Sequence, residues 1–424
     1  MREMKDSGVK WVGEIPSSWK VYKVKQIADS NNDVLPENYE EEQEIDYIEI
    51  GSVTYEHGVR TTEKMKFGNA PSRARRIVHN GDTIISTVRT YLKAIAYIDD
   101  SLADKIVSTG FSVVTPHKDV VAKFLYYALS THSFISNVEA HSVGISYPAI
   151  NNTNLMDLKI VLPMQCEQIQ IASYLDAKCS KIDEIIEKQQ AIIEKLKEYK
   201  FSIITEAVTK GINPDVELKD STIDMCEQIP VHWSISQNRY LFSLRDEKNY
   251  KPLEEVRLLS LYTDLGVFPH GEQEERGNKA VKAEGYKVVY ENDIVVNIIL
   301  AWMGAIGRSA YDGVTSPAYD IYKPNENVCS RYYHYLYRTK PFSAECYKNG
   351  RGIMAMRWRT YSSEFKSIKV PVPPYIEQCQ IADYLDSKCE MLDKTIADRN
   401  KAIEKLQEYK KSLIYEVVTG KKEV

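Results

Sequence analysis

The sequence predicts an α+β chain in which two mixed α/β domains are separated by two long helices, the helices pairing as an antiparallel coiled coil with pseudo-twofold symmetry. Three observations predict it. About 44 residues, Glu167 to Lys210, recur without a gap at Glu377 to Gly420, a shift of about 210 positions with roughly half the residues identical. Both copies carry a narrow apolar stripe at 4-3 spacing. Shorter matches flank them, so the duplication extends through each half of the chain, while the stretches between the matches differ.

The elements follow in order. Met4 to Trp19 (MKDSGVKWVGEIPSSW) returns as Leu218 to Trp233 (LKDSTIDMCEQIPVHW), sharing Lys5/Lys219, Asp6/Asp220, Ser7/Ser221, Ile15/Ile229, Pro16/Pro230 and Trp19/Trp233. NGDTIIST (Asn80 to Thr87) matches ENDIVVNI (Glu291 to Ile298), each a turn followed by a β-branched strand. AKFLYYALSTHSF (Ala122 to Phe134) matches SRYYHYLYRTKPF (Ser330 to Phe342), read as one aromatic helix with Thr131 and Thr339 aligned. Both halves then reach a proline-ended strand, LKIVLP (Leu158 to Pro163) and IKVPVPP (Ile368 to Pro374), with the long helix directly after it. The predicted division is 1–164 for the first domain, 165–210 for the first helix, 211–374 for the second domain with a linker at 211–220, and 375–424 for the second helix and tail.

The stripe runs through Leu175, Cys179, Ile182, Ile186, Ile193, Leu196, Ile203 and Ala207 in the first helix. Leu385, Cys389, Leu392, Ile396, Ile403, Leu406, Leu413 and Val417 form it in the second. Such a seam needs a partner, and the other copy is the obvious one. About 43 residues at 1.5 Å each make a rod near 65 Å. Gln189/Arg399 and Lys200/Lys410 interrupt the seam at matching places. An antiparallel pairing brings Gln189 near Arg399, and polar residues at seam positions fix register.

Composition bounds the function. The chain has 424 residues, 43% hydrophobic and 27% charged, the balance of a globular protein of more than one domain. No apolar run approaches the roughly 20 residues that span a bilayer, so no membrane association is expected. The start, MREMKDSG, lacks a signal-peptide core. Seven scattered cysteines without a C-x-x-C predict reduced thiols in the cytoplasm. The net charge of −5 hides an uneven distribution. Arg60 to Lys93 holds Arg60, Lys64, Lys66, Arg73, Arg75, Arg76, Arg89 and Lys93 against Glu63 and Asp82, and a second basic stretch runs from Lys348 to Lys369. Basic clusters at comparable places in two repeats point to a polyanion.

Catalytic signatures fail one by one. Val372-Pro373-Pro374-Tyr375 resembles the Asn/Asp-Pro-Pro-Tyr/Phe motif of amino-group methyltransferases, but valine cannot accept the hydrogen bond of a target amine. Asp215 lies beside Glu217 and Lys219 in a linker, whereas a metal-dependent nuclease needs these groups separated by a strand or more. The eight histidines form no H-x-x-x-H or H-E-x-x-H, and no phosphate-cradling G-x-x-x-x-G-K is present. No metal and no cofactor is expected, and the chain reads as a non-catalytic subunit.

Taken together, K-D-S-G-x-K-W-x-G-E-I-P-x-x-W at Lys5 to Trp19, its weaker copy at Lys219 to Trp233, the proline-ended strands and both E-Q-x-x-I-A-x-Y-L-D helices resemble the specificity (S) subunit of type I restriction–modification systems. The resemblance covers nearly the whole chain. Thr222 and Met225 depart from it by replacing the glycine and tryptophan of the first copy. It implies two target recognition domains, each reading one part of a bipartite asymmetric DNA target, and a coiled-coil ruler for the unread spacer. It also implies partners: double-stranded DNA, two methyltransferase (M) subunits that methylate adenine N6 with S-adenosylmethionine, and restriction/motor (R) subunits joined through the complex.

Base reading calls for loop side chains that fit a groove, and phosphate binding for cations beside them. For phosphates the sequence nominates Arg73, Arg75 and Arg76 in the first domain and Lys348 and Lys366 in the second. For bases it nominates Arg89, Thr90, Tyr91, Lys93, Ser146, Tyr147 and Asn151, then Arg351, Met354, Arg357, Trp358, Arg359 and Tyr361 with Trp302 and Met303. Two other readings fit the residues: a stand-alone pseudo-dimeric DNA-binding protein, and a coiled-coil protein scaffold.

Overall fold

The computed structural model describes residues 2–263, 265–271, 283–352 and 358–424. It separates into two compact units, 1–189 with 400–424 and 190–399, so the division falls within each long helix. Each unit therefore contains the beginning of one long helix and the end of the other.

The first unit is built on a frame. A hairpin pairs Met4–Asp6 with Glu14–Pro16, and the strand after it, Lys20–Lys23, pairs antiparallel with Lys159–Leu162, the strand that precedes the first long helix. Between these lies an antiparallel sheet in the order Ile95–Tyr97, Thr83–Ser86, Phe111–Pro116, Ala28–Ser30. A second sheet, ordered Glu63–Lys66, Glu44–Ile48, Ile106–Ser108, Ala74–Ile77, carries one parallel pairing, between Glu44–Ile48 and Ile106–Ser108. Alternating β-branched residues supply the core, with Ile84, Val107 and Phe111 fully buried.

The second unit repeats the frame. Leu218–Ile223 pairs with Cys226–Pro230, and Ser234–Gln237 with Lys369–Val372. Its sheet runs Phe242–Arg245, Tyr319–Pro324, Ile294–Asn297, Ile306–Arg308, the same order as its counterpart. The core is more aromatic here: Trp233, Tyr322, Tyr332, Tyr333, Tyr337, Phe342 and Phe365 are all fully buried. The second sheet is also repeated in reduced form: Leu259–Tyr262 pairs with Gly266–Pro269 and Lys287–Val289 with Gly313–Thr315, and a parallel bridge between Leu258 and Val314 joins the two pairs, as the parallel pairing does in the first unit.

One expectation is corrected. The aromatic segment is not one helix but two in each unit, Ala122–Leu129 then His132–Ala140, and Ser330–Tyr337 then Lys340–Asn349. The aligned threonines cause the break. Thr131 and Thr339 leave the helical conformation, and their hydroxyls accept the backbone N–H of Phe134 and Phe342, each at 3.3 Å, as N-caps of the second helix.

The long helices span Gln165–Lys210 and Tyr375–Val418. Every predicted seam residue is buried or half-buried. In the first unit, Lys410 near the end of the second helix reaches Asp183 near the start of the first at 2.7 Å. In the second unit, Lys200 reaches Asp393 at 2.7 Å. Residues 183/393 and 200/410 are repeat mates, so the same ion pair is made twice with the positions exchanged, the pattern of an antiparallel register, whereas an in-register parallel one would set Asp against Asp and Lys against Lys. Partly exposed pairs of this kind contribute less than about 1 kcal/mol each. Their use is to exclude the parallel alternative. Gln189 and Arg399, the proposed register residues, are half-buried at mid-helix, the last residues of their segments before the division.

A buried glutamine ties each head to its helix. Gln168 accepts the Val121 N–H at 2.8 Å and donates to the Pro163 carbonyl at 2.9 Å. Gln378 repeats this with Cys329 and Pro373, at 2.9 Å each. The glutamine of the repeated Glu-Gln pair thus satisfies the backbone where strand turns into helix.

Candidate nucleic-acid interface

In the first unit the strand Thr83–Ser86 ends in a loop that turns through a short 3-10 helix, Thr90–Leu92. A second loop, 141–150, lies against it. Ile150 N–H donates to the Thr87 carbonyl at 2.9 Å, and Val88 bridges to Ala149. Thr87 in turn donates its N–H and its hydroxyl to the Gly110 carbonyl, at 2.7 and 2.9 Å. Gly110 leaves room there for the Ile50 and Val88 side chains, which a Cβ would push aside. Its neighbour Thr109 donates to the Arg73 carbonyl at 2.8 Å, which sets exposed Arg73 close to the loop pair.

Arg89 and Lys93 flank the 3-10 turn, and both have left-handed backbones, φ 51° and 55°. Non-glycine residues in this region hold about 1 kcal/mol or more of strain, which persists where function demands a fixed direction. The Arg89 guanidinium lies 5.1 Å over the Tyr147 ring, joining the two loops by a cation–π contact. Tyr91, Ser146 and Tyr147 are exposed.

Other nominated residues have structural duties. Thr90 is buried, and its hydroxyl donates to Ser142 at 2.8 Å, so it points inward. Lys93 lies 3.7 Å from Glu139. Asn151 caps the helix Asn152–Met156 by accepting the Asn154 N–H at 2.7 Å. Arg75 covers the Phe67 ring at 5.0 Å, and Arg76 is half-buried in its strand, where burial holds its guanidinium below its ordinary pKa yet still charged at neutral pH.

The second unit uses the same backbone bonds for a different surface. Thr360 N–H donates to the Ile298 carbonyl at 2.9 Å, the counterpart of Ile150 to Thr87. The 3-10 turn is Ala301–Met303, and Gly304 takes the left-handed place that Lys93 holds in the first unit. Trp358 stacks on Tyr347 at 4.9 Å and 24°, its indole donating to the Tyr347 carbonyl at 3.0 Å. Trp302 approaches the same tyrosine at 5.8 Å, and Met303 is exposed beside it. Arg351 and Arg359 exchange both backbone hydrogen bonds at 3.0 Å. The Arg351 guanidinium covers Tyr361 at 5.0 Å and meets Glu364 at 3.2 Å. Met354 and Arg357 lie outside the described residues.

Of the two phosphate candidates, Lys348 pairs with Asp224, which raises the lysine and lowers the carboxyl. Lys366 is half-buried on the helix Ser362–Ser367. The structure therefore brings the two nominated loops of each unit together but assigns several nominated side chains to packing. Tyr347, the centre of the aromatic cluster, was not nominated, because it lies in the helix Lys340–Asn349 and not in either nominated loop.

The chain matches the family described as type I restriction modification DNA specificity domain across residues 16–198 and 240–405. It belongs to that family. A Methanocaldococcus jannaschii chain assigned as the specificity subunit of the type I restriction enzyme MjaX is 25% identical, with 97% of this chain and 95% of that one covered. Among solved structures, an HsdS subunit from Thermoanaerobacter tengcongensis has a TM-score of 0.55 at 18% identity, covering 98% of this chain and 99% of that one. A chain from a study of assembly and conformational transition in the type I R-M system reaches 0.73 at 17% identity, with 96% and 99% covered. This specificity subunit fold is an α+β chain with two recognition units, and its function is to recognise DNA sequence within a type I restriction–modification complex. Among the described residues, no helix is long and apolar enough to cross a membrane, and no His/Cys/Asp/Glu cluster could hold a metal.

Proposed function

We propose that each unit carries one reading head for a bipartite, asymmetric double-stranded DNA target. The observation that carries this reading is the pair of loops in each unit. One backbone scheme holds both, but an arginine-led surface forms in the first and an aromatic one in the second. The heads are assigned to 1–164 and 211–374, and the helices at 165–210 and 375–424 act as the ruler for the unread spacer. Two methyltransferase subunits dock on this chain and modify adenine N6, and restriction/motor subunits join through the complex. The chain itself supplies the address and no catalysis, in the cytoplasm, where its seven free cysteines stay reduced.

Arg73, Arg75 and Arg76 are assigned to phosphates in the first head, and Arg89, Tyr91, Ser146 and Tyr147 to bases. Arg351, Trp358, Arg359 and Tyr361 read bases in the second, with Trp302 and Met303 at their edge. The test is retention of duplex DNA by the assembled complex at rising salt. Affinity should fall steeply and log-linearly, and Arg73→Ala should weaken it about equally on all sequences while lowering the salt slope by about one. A salt-independent complex would remove DNA from the account and favour a scaffold.

A further inference from the structure

We infer that the tip of the first unit's second loop, Val143-Gly144-Ile145, is an apolar finger that contacts a thymine methyl group in the first half-site. The inference rests on the DNA-reading function proposed above and names a determinant outside the residues already assigned. Val143 is 80% exposed and Ile145 is fully exposed. The tip is nonetheless held in one shape. Val143 and Ala149 exchange both backbone hydrogen bonds, at 2.8 and 3.0 Å, and Ala149 also bridges to Val88 of the neighbouring loop. Gly144 has φ 118°, and a Cβ there would lie 3.1 Å from the Tyr147 carbonyl oxygen, so the turn needs glycine.

An aliphatic side chain projecting from a pinned turn is not part of any core, and its surroundings indicate its partner. Exposed Ser146 borders it, and the Arg89 guanidinium lies over the ring of Tyr147 in the same loop. The Arg89 cation sits among the exposed apolar and aromatic side chains of the two loops, Tyr91, Leu92 and Tyr147 beside Val143 and Ile145, and a positive charge at that place suits a phosphate-lined groove. The edges of paired bases in the major groove present one apolar group, the C5 methyl of thymine. Ile145, with Val143 beside it, matches that group in chemistry and size.

The experiment uses the full chain assembled with its methylating subunits and synthetic duplexes carrying its target. Uracil replaces each thymine of the first half-site, one at a time, which removes the methyl and leaves every hydrogen-bonding group. With the wild-type chain at least one replacement should weaken binding ~4-fold, the effect of one buried methyl. Ile145→Ala should bind the thymine duplex correspondingly weaker and respond to that uracil by less than a factor of about 1.5. Replacements in the second half-site should act equally on both proteins, which also shows that the variant is folded and assembled. The finger is refuted if Ile145→Ala keeps the wild-type response to uracil, if no first-half thymine responds, or if that half-site has no A·T pair. A wild-type complex that neither binds nor methylates any bipartite target would instead overturn the reading-head function itself.

Discussion

The loop pairs of the two units show what duplication preserved and what it released. Both pairs hang on the same bond, Ile150 to Thr87 and Thr360 to Ile298, and both place a 3-10 turn after the same strand of the same sheet. The side chains on them share almost nothing. In the first unit a guanidinium over a tyrosine joins the loops, whereas in the second a tyrosine is flanked by two tryptophans. Backbone hydrogen bonds do not depend on the residue that makes them, so the frame survives substitution. The exposed side chains carry no folding constraint and are free to specify different bases.

The largest expected effect comes from erasing the difference. Replacing residues 234–372 by 20–162, segments bounded by equivalent paired strands, should give a chain with two identical heads. Methylation of the original target should disappear and a palindromic bipartite motif should replace it, read by methylome sequencing. An unchanged motif would break the comparison.

Single substitutions sharpen it. Trp358→Ala removes the stack on Tyr347 and should relax the second half-site alone by about 10- to 100-fold in discrimination. Arg89→Ala should relax the first half-site alone by about 10-fold, in keeping with about 1–3 kcal/mol per well-made base contact. Methylation rates on half-site variants would measure both. A substitution that changed both half-sites equally would show coupling that the frame does not provide.

The smallest effect concerns pH. His79 precedes the strand that leads to the first loop and bonds Asp33 at 2.8 Å and Asp104 at 3.2 Å, while its repeat mate is Tyr290. The Asp33 hydrogen bond, opposed by partial desolvation and aided by Asp104, raises the histidine above its ordinary value. The stabilisation is complete below about pH 6.5 and lost as pH rises through the folded value. The groups are about half exposed, so the change should amount to a fraction of a kcal/mol. Hydrogen exchange in Ala74–Ile77 should quicken slightly between pH 6 and 8 relative to exchange chemistry, and His79→Gln should abolish that trend.

Much of the frame was legible because its causes are local. The seam is written in the 4-3 spacing, the strands in β-branched runs, and the head-to-helix junction in proline followed by Glu-Gln. The broken aromatic helix was missed because aromatic periodicity continues through Thr131 and Thr339, and only their capping bonds show the break. The site was legible as loops and poorly as residues. Whether Thr90 faces inward to Ser142, or Lys348 pairs with Asp224, depends on segments 52 and 124 residues distant. The exposed tip at Val143 and Ile145 was missed for the opposite reason, since apolar residues in a sequence read as core.

The central claim is that one chain addresses two unlike half-sites at a fixed separation. Methylome sequencing of cells carrying this chain with its cognate methylating subunits tests it most directly. The account predicts N6-methyladenine in one asymmetric motif made of two different specified segments around an unspecified spacer of constant length. A single uninterrupted motif, a palindrome, or a spacer of variable length would contradict it.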